Sequence, residues 1–82
     1  MLTISNCITA AQQHIADFKI VAPESAAAFW TAKTAYKYAS MAVGAAQNPF
    51  NEEMVAKATQ LAREADELMQ KAIAAQLDAA GF

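Results

Sequence analysis

At 82 residues the chain has the size of one domain, and such a chain buries only about 60% of the surface its unfolded form exposes. Much of its 56% hydrophobic content is alanine, which favours helix but adds little burial per residue, so packing quality or a partner must supply part of the stability. A net charge of −2, from six basic and eight acidic residues, argues against nucleic acid or an acidic membrane surface as the partner.

No basic stretch leads into an apolar one, so no signal peptide is expected. No apolar run reaches the ~18–20 residues of a membrane span. Cys7 is the single cysteine and has no mate for an internal disulfide. The expected setting is cytoplasmic.

The first predicted helix covers about residues 3–21. Ile4, Ile8, Ala11, Ile15, Phe18 and Ala22 alternate at spacings of four and three, which lines them up on one helical face. Ser5 or Asn6 could cap its start, and Thr3 is a third option. Ala22-Pro23 ends the segment, because proline disfavours helical geometry in the residue before it.

The second predicted helix covers about residues 23–46, with Pro23 at its first position and Glu24 complementing the positive end of the helix dipole. Its stripe is all alanine: Ala28, Ala32, Ala35, Ala39, Ala42 and Ala46. Nothing on that stripe holds a neighbour away, so a facing helix can approach to the short end of the usual ~8–10 Å separation. Bulky residues flank it. Phe29, Tyr36 and Val43 fall on one side and Tyr38 on the other, with Trp30 and Met41 furthest round; only a narrow strip carries Lys33, Lys37 and Ser40. So wide an apolar arc predicts a central helix touched on two sides, or one that also faces another molecule. Phe29, Trp30, Tyr38 and Met41 are the candidate interaction surface, since aromatic residues of this kind anchor interfaces.

Gln47 to Asn51 is the second break, with Asn48 as the predicted cap and Pro49 as the first residue of the third helix, residues 49–80. This helix would be about 31 residues and roughly 46 Å long. Met54, Leu61, Leu68 and Ala75 form one line at spacing seven, and Ala58, Ala65, Ala72 and Ala79 form a second. Glu53 with Lys57 and Glu67 with Lys71 are at i,i+4, an arrangement worth about 0.2–0.5 kcal/mol per pair. Gly81 reads as a stop, and Phe82 either docks or stays free.

Short breaks make neighbouring helices antiparallel. The expected fold is all-α: a single domain over residues 1–82, an antiparallel three-helix bundle running up-down-up. Helices 2 and 3 would form a long alanine-rich hairpin.

Chemistry is sparse. His14 and Cys7 lie about 10 Å apart along one helix, too far to pair or to share a metal. Asp17 is within reach of His14, but a nucleophile would have to come from elsewhere in the fold. Glu64, Asp66, Glu67 and Asp78 read as a solvated face. The only glycines are Gly44 and Gly81, so no glycine-rich phosphate loop is present. No catalytic, metal or cofactor residues are assigned.

The reading is a non-enzymatic helical protein–protein interaction module: a small adaptor, inhibitor or assembly subunit, working with a protein partner or by forming a homo-oligomer. A self-assembling subunit of the secretion or filament helical-hairpin type shares the architecture, without a motif that matches residue by residue. Two other classes are an amphipathic surface-adsorbing protein and a ligand-binding bundle with a pocket beside Tyr36 and His14. Against adsorption, such helices usually carry Lys and Arg on their polar face, and the third helix is net acidic there.

Overall fold

The computed structural model describes residues 3–81. Phe82 lies outside the described residues. Three helices follow one another: α1 (Ile4–Phe18), α2 (Ala26–Ala45) and α3 (Glu52–Ala79). They form an all-α three-helix bundle running up-down-up. α1 and α3 each pack mainly on α2 and touch one another less, so α2 is the central helix. The molecule is elongated, 48 × 19 × 16 Å, because α3 alone spans about 42 Å.

Each helix starts on a side-chain cap. Thr3 caps α1, its hydroxyl accepting from the Asn6 N–H at 3.0 Å. The other two caps differ from the sequence expectation in the same way. Pro23 does not open α2. It sits with Glu24 in a tight turn closed by the Ser25 N–H on the Ala22 carbonyl at 3.0 Å, and Ser25 is the cap, accepting from the Ala28 N–H. Pro49 likewise does not open α3. Asn48 and Pro49, joined by a cis peptide bond, form a turn bracketed by a Gln47–Phe50 bridge, and Asn51 caps the helix by accepting from the Met54 N–H at 3.1 Å. In both breaks the cap is the polar residue two places after the proline. The chain must reverse within a few residues, so the proline serves the turn and the next suitable cap starts the helix.

α1 is also shorter than the periodicity suggests. Beyond Phe18 the Lys19, Ile20 and Val21 amides bond three residues back, to Ala16, Asp17 and Phe18, tightening the last turn before Pro23. α3 ends where expected: Gly81 has φ 87°, the left-handed conformation that glycine adopts without steric cost.

The core is a seam of small residues. Ala28, Ala32, Ala35, Ala39 and Ala42 of α2 are 0% exposed, as are Ala58, Ala65 and Ala72 of α3. Near the start of α1, Cys7, Ile8, Ala11 and Ile15 meet Ala35, Ala39 and Ala42 together with Ala58, Leu61 and Ala65. At the other end Phe18 meets Ala28, Ala32 and Ala72. No large side chain among the described residues is completely buried. Bulk therefore lies beside the seam, with Val43, Tyr38, Met54 and Leu68 packed against one cluster and Phe29 and Met69 against the other. Gln76 donates to the Ser25 carbonyl at 3.1 Å and ties the end of α3 to the start of α2. Ala79, the last of the α3 alanine line, is exposed because it extends past that contact.

The ion pairs expected along α3 do not form. The single charged contact within 4 Å among the described residues is His14 with Asp17. Glu53, Lys57, Glu67 and Lys71 are exposed, and holding two long solvated chains in one geometry costs as much entropy as the contact returns.

Two substitutions test the seam and the caps. Ala39→Leu should destabilise the protein by about 1–3 kcal/mol in urea unfolding, because the facing backbones leave no room, whereas Leu at the exposed Ala27 should change stability by less than about 0.5 kcal/mol. Asn51→Ala should cost about 1 kcal/mol and Asn48→Ala much less, which separates the observed cap from the expected one.

Candidate functional site

The site begins with the part of α2 that the bundle leaves uncovered. The alanine stripe faces inward. One flank is taken by α1, where Tyr38 stacks on His14 with ring centroids 5.8 Å apart and planes 16° from parallel. The other flank is taken by α3, where Phe29 packs on the cluster that holds Ala72 and Val43 on the cluster that holds Ala58 and Leu61. What remains is the arc opposite the alanines. Trp30, Lys33, Thr34 and Lys37 occupy it at i, i+3, i+4 and i+7, one continuous helical face. Met41 continues it, about 16 Å from Trp30 along the axis.

Trp30 is 59% exposed and Met41 40%. The Trp30 indole stands edge-on to Phe29, with centroids 5.8 Å apart at 74°. The Lys33 ammonium lies 4.8 Å from the indole centroid, within cation–π range. The Thr34 hydroxyl is occupied, donating to the Trp30 carbonyl at 2.8 Å. Trp30, Lys33, Thr34, Tyr36 and Lys37 line an open groove of about 360 Å³. Tyr36, 41% exposed, also walls a second depression of about 270 Å³, shared with Thr59, Ala62, Arg63 and Asp66 on α3. The surface thus offers two aromatic rings and a thioether, rimmed by Lys33, Lys37 and Arg63.

The four residues named from the sequence do not make one surface. Trp30 and Met41 are on the outer face. Phe29 and Tyr38 are half-buried on opposite flanks and spend their rings on contacts within the bundle. The helical wheel separates these angles, but which angles are covered depends on where α1 and α3 lie. The exposed face also carries Lys33 and Lys37, at i+3 and i+7 from Trp30, with Tyr36 at its edge, and none of the three belongs to the surface expected from the sequence.

The remaining chemically interesting groups do not converge. Cys7 is buried in the core and unpaired. His14 is committed to Tyr38, and its Nδ1 is 3.9 Å from Asp17, too long for a hydrogen bond. Asp17 instead accepts from the Gln13 amide at 2.9 Å. Ser25 is used as a cap and donates to the Ala22 carbonyl at 2.6 Å. Among the described residues no three His, Cys, Asp or Glu side chains gather as metal ligands would, and no helix is long and apolar enough to cross a membrane. The other exposed apolar side chains, Ile20, Phe50, Ile73 and Leu77, sit in the two breaks and toward the end of α3.

Comparison with protein-family models found no match, and neither curated proteins nor solved structures matched the chain.

Proposed function

We propose that this chain is a non-enzymatic helical protein–protein interaction module, a small adaptor, inhibitor or assembly subunit, and that the outer face of α2 is its contact surface. The observation that supports this is the exposure of Trp30 on a helix whose two flanks are already occupied by α1 and α3. A large aromatic ring left in water on the central helix of a small bundle contributes little to folding. Against a partner it would be the kind of residue that carries most of an interface's energy. Tyr36 and Met41 extend the apolar surface, and Lys33 and Lys37 supply the polar rim that such interfaces have. Two lysines are too few to follow a nucleic-acid backbone, which favours protein as the partner class. A reducing, cytoplasmic setting belongs to the proposal and is supported by the lone buried thiol of Cys7.

Trp30→Ala tests this reading. Thermal unfolding should change by less than about 0.5 kcal/mol, because the ring is mostly outside the core. Association, whether with another copy or with a captured protein, should weaken at least tenfold, about 1.4 kcal/mol or more. The single tryptophan provides an independent readout, since its emission should shift to the blue when the face is covered. Equal losses of stability and association would make Trp30 a structural residue, and an unchanged association would remove the face from the proposal.

A further inference from the structure

The charge on the uncovered face of α2 has one sign. Lys33 and Lys37 are the only charged residues of α2, and both are exposed beside Trp30. Neither has a carboxylate within 4 Å among the described residues, and Lys33 lies over the indole instead. The adjoining depression on the α3 side carries one charge of each sign, Arg63 and Asp66, so the positive excess belongs to α2. Trp30 and Met41 bound the face about 16 Å apart along the axis, with the two lysines in the turns between them. The groove beside Trp30 is lined by α2 alone. It is a furrow between the side-chain rows of one helix, the shape into which a side-chain row of a second helix packs.

We infer that the outer face of α2 takes an acidic amphipathic helix from a different protein. The inference rests on the reading of this face as a contact surface and names the chemistry of its partner. Such a helix carries two apolar side chains about three turns apart, for Trp30 and Met41, with Asp or Glu in the turns between them, for Lys33 and Lys37. No helix of this chain has that pattern. A second α2 would set lysine against lysine with no carboxylate on either helix to offset them. α1 has Asp17 as its one acidic residue, and that carboxylate already accepts from Gln13. α3 interleaves Lys57, Arg63 and Lys71 with its carboxylates, so its exposed arc is of mixed charge. A second copy therefore offers no complementary face. An anionic bilayer has the right sign, but it would meet the flanks as well as this strip, and the chain as a whole is net −2. One helix on another makes a small interface, so the two lysine contacts decide its specificity and make it dependent on salt.

The test uses two dye-labelled peptides of about 20 residues, long enough to hold a helix, that share one leucine stripe and carry either glutamate or lysine beside it. Binding to the full chain is read by peptide anisotropy and by Trp30 emission. The glutamate peptide should bind roughly tenfold more tightly than the lysine peptide, and about 1 M salt, where the screening length is ~3 Å, should remove most of that preference. Lys33→Glu/Lys37→Glu, with helicity unchanged by circular dichroism, should invert the preference. The same change of net charge at Lys57 and Lys71 on α3 should leave it in place. The inference is overturned if neither peptide binds, if both bind alike, or if the preference survives Lys33→Glu/Lys37→Glu. Binding to phosphatidylserine vesicles in place of the glutamate peptide, or a mass in solution that rises through self-association at this face, overturns it as well. Trp30→Ala, followed by anisotropy, separates this failure from that of the contact surface. If both peptides bind alike and Trp30→Ala weakens both, the surface stands and the acidic partner falls. If Trp30→Ala changes nothing, both fall.

Discussion

The close approach of α2 to its neighbours, made possible by an unbroken line of alanines, is the constraint from which the rest of the architecture follows. Each buried alanine removes little apolar area from water, so the seam is not stabilised mainly by hydrophobic transfer. Its contribution is contact. Where the alanines of α2 face those of α3, only methyl groups lie between the backbones, which come close enough for many weak dispersion contacts along their length. Phe18, Ile8, Ile15 and Leu61 supply the larger buried surfaces, and each sits at an edge of the seam where there is room.

A narrow seam displaces bulk. The large residues of α2 cannot lie between helices, so they are distributed around its circumference: Tyr38 against α1, Phe29 and Val43 against α3, and Trp30 and Met41 beyond both. A third neighbour would be needed to cover the remainder. The exposed aromatic face is thus a geometric result of an apolar helix having two partners where its composition suits three. The same arrangement leaves Lys33 free to lie over the Trp30 ring, a contact that orients the indole and places positive charge at the rim of the groove.

The two breaks use one device. A proline shapes a tight reversal, and a serine or asparagine two residues later accepts from the N–H of the third residue of the next helix. This starts α2 and α3 about a turn later than a start at the prolines would. It also fixes where the α2 face starts, since Ser25 sets the helix in which Trp30 is in the second turn.

Hydrophobic spacing alone determined the number of helices and their stripes, because periodicity is a property of one helix and needs no knowledge of its neighbours, whereas the central place of α2 came from the packing. The glycine stop at Gly81 was legible for the same reason. The caps were not, because Asn48 and Asn51 are equally good on local chemistry and the turn geometry decides between them. The site was half legible. The wheel placed Trp30 and Met41 furthest from the alanines, and they are exposed. It could not say that α1 would cover Tyr38 and α3 would cover Phe29, that Lys33 would settle on the indole, or that the α3 carboxylates would stand without salt bridges. Those depend on which arcs of each helix the others occupy, and that is decided only when the three helices pack.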